Sequence, residues 1–298
     1  MQSAVRFIIE RRPYLSPIPI AISFLLGLIF RPFLFLTTSM VAFVALCCDT
    51  KEVVKMVVGS LVIVAFFSFL FAFGLSFFVL ALGLWLPVAL AAIIHKNYRN
   101  FFYSLSLVTA IIFLYLSVFR LSVDNVDMFW LGLVKNFFDK LRVNNLNLSD
   151  AELEVISGQV HLWSIVLMQL FFTGSLILSR WYQSKLYNPG GFSKEYFLLK
   201  IPRSFAFLLL IYLLLNVSNI LPNEQFGIFG DISVLIMGLY FFQGISVIHS
   251  TGREKQVATG WFSALYFLLF LLPQFVGLFI IVAGILDSFI SLRNDAGI

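Results

Sequence analysis

The chain has 298 residues, of which 60% are hydrophobic and only 12% are charged, and its mean hydropathy is +0.98. A soluble globular domain carries about 25% charged residues, so this composition excludes a soluble fold. Long apolar runs recur along the chain, whereas barrel strands are short and alternate apolar with polar residues. We therefore expect an all-α, polytopic transmembrane helix bundle, with residues 1–298 forming a single integral membrane domain in contact with the lipid bilayer.

The apolar runs predict about nine membrane spans, although a span needs about 20 apolar residues and the first two runs are shorter. In chain order the runs are 14–30, 33–48, 54–71, 74–94, 101–119, 159–180, 204–221, 228–249 and 261–288. Only Arg31 and Pro32 separate the first two runs, which predicts a tight hairpin. The last run contains Pro273, and we predict one kinked helix, with two half-helices or a re-entrant pair as the alternative.

Lysine and arginine are distributed unevenly between the connecting segments. With the N-terminus inside, 14 of the 20 Lys and Arg residues fall in inner segments and 5 in outer ones. Cytoplasmic loops carry an excess of these residues, which predicts a multi-pass protein of the bacterial inner (cytoplasmic) membrane with a cytoplasmic N-terminus. The first span is expected to remain as an uncleaved signal anchor. The net charge of +5 is scattered over several loops, so we expect no nucleic-acid partner.

Motifs for catalysis, cofactors and metals do not appear. The chain has no GxxxxGK[ST] sequence for ATP, and Cys47 and Cys48 are adjacent, with no CxxC or Cys/His spacing. The predicted topology puts His161 outside and both His95 and His249 inside, so the three histidines cannot form one metal site. We therefore expect a non-enzymatic protein with no cofactor and no bound metal.

The longest polar insert, residues 120–158, is predicted to lie outside the cell. One helical face in it carries Val126, Trp130, Leu133, Phe137 and Leu141. This pattern is typical of an amphipathic helix on the membrane surface or across the end of the bundle. The insert is then either a solvated face or a lid over a cavity.

A second helix is predicted to begin within the same insert. Ser149 and Glu152 have the spacing of a capping box, in which each side chain bonds the backbone N–H of the other residue. The helix is expected to run on into the next span.

Residues 180–203 form an articulated inner segment. Pro189 and Gly190 suit a type II turn, because proline fixes φ at the first central position and glycine accepts a positive φ at the second. Ser193 is predicted to cap a short helix that Pro202 ends. The segment is either an aromatic and basic belt at the interface or a docking surface for a membrane or cytosolic protein partner. The candidate docking residues are Arg180, Trp181, Tyr187, Asn188, Pro189, Gly190, Gly191, Phe192 and Glu195.

Polar side chains within apolar runs are costly in a membrane and are often functional. The candidate ligand-binding residues are Gln169, Thr173, Asn216, Asn219 and Gln243. Gln169 and Asn216 are the preferred pair, because both fall near mid-membrane, and they would line a cavity for a polar small-molecule ligand. The alternative is hydrogen bonding between helices, worth roughly 0.6–2 kcal/mol for each bond.

Two stretches resemble a known family. RWYQSKLYNPGGF, with Glu195 and the following LKIP, resembles a proteobacterial branch of the YybS-like predicted membrane proteins, domain of unknown function 2232. The C-terminal region resembles the same family through Gly244, His249, Trp261, Tyr266, Pro273, Gln274, Gly284, Asp287 and Arg293. The family is similar in fold to the substrate-binding components of energy-coupling-factor vitamin transporters, which implies a helical core that holds a small molecule. Those components carry alanines spaced by four on the first helix, whereas this chain has Ser23 and Gly27.

Two functions are consistent with these features. The first is a non-enzymatic, transporter-like membrane component that binds a small molecule, which the resemblance and the amides within the spans favour. The alternative is a membrane scaffold that recruits a protein partner through residues 180–203.

Overall fold

A computed structural model of the protein describes residues 16–71, 74–140, 149–218, 220 and 227–293. These residues form helices and connections, without a strand among them. The helices are α1 (Pro17–Ile29), α2 (Pro32–Cys47), α3 (Thr50–Leu70), α4 (Ser76–Tyr98), α5 (Phe101–Ser122), α6 (Val126–Lys140), α7 (Asp150–Tyr187), α8 (Gly191–Tyr196), α9 (Arg203–Val217), α10 (Ile228–Glu254), α11 (Thr259–Leu271) and α12 (Pro273–Ile290). The predicted all-helical fold is confirmed for this part of the chain.

Six of these helices are long and apolar enough to cross a membrane, namely α3, α4, α5, α7, α10 and α12. Four others, α1, α2, α9 and α11, are apolar but have between 13 and 16 residues. Because a span needs about 20 residues, these four are short for a perpendicular crossing. The chain therefore has several candidate spans, as its composition predicts.

The prediction of one kinked helix over residues 261–288 is wrong. The chain leaves helical geometry at Leu272, where φ is −131° and ψ is 57°, so that α11 ends at Leu271 and α12 starts at Pro273. Proline disfavours the α conformation of the residue before it and is well suited to the first position of a helix. Pro273 therefore separates two helices, which is the half-helix alternative.

The two helices predicted around the polar insert are both present. α6 packs through Trp130 and Val134, while Leu133 and Phe137 are exposed, so the apolar stripe is divided between two sides of the helix. Leu141, the last member of the predicted stripe, lies outside the described residues.

The capping box that opens α7 is confirmed. The Ser149 backbone N–H donates to Glu152 Oε2 at 2.8 Å, and the Glu152 N–H donates to Ser149 Oγ at 3.3 Å. α7 then runs for 38 residues, into and beyond the predicted span.

The predicted turn at Pro189 and Gly190 is also confirmed. Gly190 has φ 84° and ψ −12°, and the Gly191 N–H donates to the Asn188 carbonyl at 3.0 Å. Ser193 does not cap the following helix, because α8 begins two residues earlier, directly after the positive-φ glycine. The turn itself therefore starts the helix, and the side-chain cap predicted at Ser193 is wrong.

Contacts divide the chain into two compact units. The N-terminal unit contains Met1–Val108 and Phe171–Leu199, and the C-terminal unit contains Thr109–Leu170 and Lys200–Ile298. In the N-terminal unit, α1 and α2 form the predicted hairpin. Gly27 lies against Leu34, and Thr37 Oγ1 donates to the Ile20 carbonyl at 2.9 Å. The prediction of a single integral domain stays a prediction.

The C-terminal unit is built on close packing of α10 against α12. A Cβ on Gly244 would overlap the carbonyl oxygen of Ile280, and a Cβ on Gly284 would overlap the carbonyl oxygen of Tyr240. Small residues let membrane helices approach to backbone contact. These two glycines, which also carry part of the family resemblance, therefore set the distance between the two helices.

We predict that Gly284→Ala destabilises the protein, whereas Gly277→Ala on the same helix does not. A methyl group at position 284 meets backbone atoms that cannot rotate away, and overpacking costs about 1–3 kcal/mol. At position 277 a Cβ meets nothing within 4 Å, and alanine favours the helix by about 1 kcal/mol over glycine. Thermal unfolding in detergent measures both changes, and equal transition temperatures for the two variants would contradict the packing.

Candidate functional site

The C-terminal unit contains an apolar cavity of about 570 Å³ between α7, α10, α11 and α12. It is lined by Trp163, Val166, Leu167, Gln169, Leu170, Val234, Met237, Gly238, Phe241, Phe242, Leu269, Phe270, Pro273, Gln274, Gly277, Leu278 and Ile281. Ligand sites typically enclose about 300–1,000 Å³ and combine apolar walls with a few polar groups. The cavity therefore has the size and lining of a site for a small molecule.

Gln169 supplies the buried polar group of this wall. Its side chain is 2% exposed, and its Nε2 donates to the Leu235 carbonyl at 3.1 Å and to Thr109 Oγ1 at 3.2 Å. These bonds fix the amide orientation, because a flipped amide would set an oxygen against the Leu235 carbonyl. The other amide atom, Oε1, is buried and accepts no hydrogen bond from the described residues.

Gly238 is the residue that makes room for this amide. A Cβ at position 238 would overlap Gln169 Oε1, so any larger residue there would displace the amide. Gln274, the second polar lining residue, stands exposed at the start of α12. The cavity wall therefore has one buried amide beside a glycine and one exposed amide.

The other predicted ligand-binding residues do not line this cavity. Gln243 is fully buried, but the Ile201 N–H donates to its Oε1 at 2.7 Å and its Nε2 donates to Asp287 Oδ2 at 2.7 Å. Thr173 is buried within the N-terminal unit, and Asn216 is exposed on α9. Asn219 lies outside the described residues. Asn216, the predicted partner of Gln169, is therefore not a lining residue of this cavity.

Glu195 is the centre of a polar cluster in the N-terminal unit. Arg180 donates from Nε to Oε2 at 2.8 Å and from Nη2 to Oε1 at 2.7 Å, and His95 Nε2 donates to Oε2 at 3.0 Å. Burial favours a raised pKa for Glu195, but hydrogen bonds and positive charge from His95 and Arg180 outweigh it and lower the pKa to about 2. Glu195 is therefore a carboxylate across the physiological pH range.

The predicted docking residues fall into two groups around this cluster. Those exposed are Trp181, Tyr187, Asn188, Pro189 and Gly190. Arg180 and Gly191 are buried, while Phe192 and Glu195 are half-buried. Three of the exposed residues, Asn188, Pro189 and Gly190, belong to the turn itself. A docking role for this surface stays a prediction.

Sequence reasoning missed a second carboxylate cluster, in the C-terminal unit. Asp231 is fully buried and accepts a hydrogen bond from His161 Nε2 at 2.8 Å and from Arg120 Nε at 2.8 Å. The available signal was topological, because Arg120, His161 and the start of α10 were all predicted near the outer side. Ion pairs between distant chain segments cannot be read from spacing alone.

A third buried carboxylate, Asp287, ties α12 to α10. Arg293 pairs with both of its oxygens, and Gln243 from α10 donates to Oδ2. Ser288 Oγ then donates to the Ile201 carbonyl at 3.1 Å. The amide of Gln243, predicted to meet a ligand, is therefore held within the protein.

Several apolar helices long enough to span a bilayer define this chain as an α-helical membrane protein. Residues 160–288 match a family described as predicted membrane protein (DUF2232), which confirms the family resemblance read from the sequence. All residues that line the apolar cavity fall inside this matched region. No curated protein and no solved structure matches the chain.

We predict that Glu195→Gln destabilises the N-terminal unit strongly. The change leaves Arg180, whose side chain is 6% exposed, without its counter-ion, and breaking a buried pair costs about 3–5 kcal/mol. The matched control is Glu52→Gln, which removes an exposed pair with Lys55 worth about 0–1 kcal/mol. Thermal unfolding in detergent compares the two variants, and similar losses would contradict the buried pairing.

The stability difference between wild type and Glu195→Gln is expected to depend on pH in one window only. The folded pKa of Glu195, about 2, lies below its ordinary value of 4.5. Its stabilising effect is therefore complete above about pH 4.5 and is lost as the pH falls towards 2. A difference that disappears near neutral pH would contradict this assignment.

Proposed function

We propose that this protein is a non-enzymatic, transporter-like membrane component that binds a lipophilic small molecule in the cavity of the C-terminal unit. The observation that carries the proposal is that Gln169, a lining residue of an otherwise apolar cavity, has a buried amide oxygen without a donor among the described residues. The region that matches the family model includes every lining residue, which supports assigning the site to the part of the chain that the family shares.

The ligand we propose is mostly apolar and carries a hydrogen-bond donor. Two lining residues, Gln169 and Gln274, have amide side chains, and the indole of Trp163 has one N–H group. The other lining residues are apolar. Apolar walls favour apolar ligand surface by about 25 cal/mol for each Å² that is removed from water. The amides in the sequence favoured a polar ligand. Such a ligand would lose its hydration in this cavity without finding enough hydrogen-bond partners to replace it.

Gln169 is the residue we propose to orient the ligand. An unsatisfied buried acceptor costs about 1–3 kcal/mol, and a donor on the ligand would recover that free energy. In the structure Oε1 is packed against Gly238 of α10 and closed to solvent, so the ligand's donor would reach it after a rotation of the Gln169 side chain into the cavity. This single hydrogen bond would distinguish the ligand from hydrocarbon that merely fills the cavity.

A transporter role would require a partner or an ion gradient, because the sequence has no ATP-binding motif of its own. The resemblance to the substrate-binding components of energy-coupling-factor transporters is part of the proposal. The two small residues on α1, Ser23 and Gly27, are buried, with Gly27 against Leu34 of α2. The proposal therefore does not include docking of a coupling subunit through Ser23 and Gly27.

We place the protein in the bacterial inner membrane, multi-pass, with a cytoplasmic N-terminus. The excess of Lys and Arg in alternate segments supports this orientation. About nine crossings follow if α1, α2 and α9 enter the bilayer with the long helices and if α11 and α12 together make the last crossing.

Ligand occupancy tests the cavity assignment. Native mass spectrometry of the protein in mild detergent should detect a bound molecule at fixed stoichiometry. Gln169→Ala removes the amide and should weaken binding up to about tenfold, since one good hydrogen bond is worth up to about 1.4 kcal/mol. Ile281→Trp fills the cavity and should weaken binding at least as much, because it removes the space that the ligand occupies. Asn216→Ala should leave occupancy unchanged, because Asn216 is exposed on α9.

The matched control for the filling variant is Leu286→Trp. This residue lies on the same helix, is 46% exposed and does not line the cavity. Equal occupancy in Ile281→Trp and Leu286→Trp would show that the bound molecule sits elsewhere, and wild-type protein with no bound molecule would remove the basis of the proposal.

Cysteine labelling tests the orientation. In a chain without Cys47 and Cys48, Asp139→Cys in the predicted outer insert should react with a membrane-impermeant maleimide in spheroplasts. Pro189→Cys, in the exposed inner turn, should react only after the membrane is permeabilised. The reverse pattern would contradict a cytoplasmic N-terminus.

A further inference from the structure

A second cavity, of about 330 Å³, lies in the N-terminal unit and is lined by charged side chains. Its lining includes Lys96, Arg99, Arg180, His95 and one acid, Glu195. It shares no residue with the apolar cavity. A concave site with three permanent positive charges and one negative charge attracts anions.

Glu195 does not cancel this attraction, because its charge is already paired. Both of its oxygens accept hydrogen bonds from Arg180, and His95 donates to one of them. The positive charges of Lys96 and Arg99 are then left over in the cavity. Asp49, whose side chain is 94% exposed, lies 3.7 Å from Lys96 Nζ and compensates that charge only at the solvent side.

Donors remain available on these basic groups. Arg99 makes no side-chain hydrogen bond or ion pair with any described residue, although it lines the cavity. Lys96 uses one donor on the Cys48 carbonyl at 2.7 Å, and an ammonium group has three. Arg180 donates to Glu195 through Nε and Nη2, and no described acceptor takes its Nη1.

The backbone at Arg99 strengthens this reading. Arg99 has φ 49° and ψ 33° at the end of α4, in the left-handed region where helices usually end with glycine. A non-glycine residue there is strained, and such strain often accompanies a functional role. Here the strained position is the one that presents a guanidinium without a protein partner to the cavity.

We propose that this cavity binds a phosphate group, with Arg99 and Lys96 as the main ligands and Arg180 as a third donor. Guanidinium groups match phosphate oxygens with paired hydrogen bonds, and a lysine adds a compact charge. By the charge distribution the site faces the cytoplasm, where both anionic lipid headgroups and free phosphate compounds occur. Either source presents the same chemistry to these three residues.

Native mass spectrometry of the full chain in detergent tests this site with dioleoylphosphatidylglycerol as the probe. Lys96→Gln with Arg99→Gln should weaken binding at least about tenfold, since hydrogen bonds between charged groups are worth that factor or more. The matched control is Arg253→Gln with Lys255→Gln, which removes the same charge from another predicted inner segment. Its affinity should equal that of wild type.

Inorganic phosphate at millimolar concentration identifies the source. Displacement of the lipid would show that free phosphate chemistry is sufficient, and no displacement would assign the site to a lipid headgroup. Three results would overturn the proposal. They are an equal loss of affinity in both double variants, unchanged affinity in the cavity variant (Lys96→Gln with Arg99→Gln), and no binding of either probe to wild type. If the cavity variant does not fold, Arg99→Gln alone decides, because that side chain is exposed and pairs with no described residue.

Discussion

A polar group that is buried away from water has to find its partner within the protein, because losing its hydration without a hydrogen bond is costly. This constraint explains the three carboxylate clusters. Asp287, Asp231 and Glu195 are each held by an arginine, and each has a further donor from a glutamine or a histidine. Removing one partner from such a group costs more than the group contributes when it is paired. The clusters therefore restrict which helix packings this chain can adopt.

The same constraint gives meaning to the amide of Gln169. Its nitrogen is satisfied by Leu235 and Thr109, while its oxygen is buried and no described residue donates to it, although Gln169 lines the apolar cavity. Gln243 is the informative comparison, because the protein supplies partners to both ends of that amide. The difference between these two glutamines is the physical basis for placing a ligand beside one of them and none beside the other.

Local features of the structure could be predicted from the sequence, because they depend on residues close together in the chain. The Ser149 capping box, the turn at Gly190 and the apolar helices are of this kind. The sequence also predicted that the last apolar run is interrupted at Pro273. Whether a proline kinks a helix or separates two helices depends on whether neighbouring residues can satisfy the freed backbone groups.

Long-range pairings could not be predicted in the same way. Gln169 and Asn216 look equivalent in sequence, since each is an amide in an apolar run. Only the packed structure distinguishes the buried wall of a cavity from an exposed position on α9. The pairing of His161 with Asp231, 70 positions apart, also depends on which helices meet. The basic cavity at Arg99 likewise combines residues from distant segments.

The most direct test is an electron cryo-microscopy map of the protein extracted with its native lipids, at a resolution that defines side chains. The cavity between α7, α10, α11 and α12 should contain density for one molecule, with a polar atom about 3 Å from Gln169 Oε1. An empty cavity, or hydrocarbon density that leaves this oxygen without a donor, would contradict the assignment of the cavity as a specific binding site.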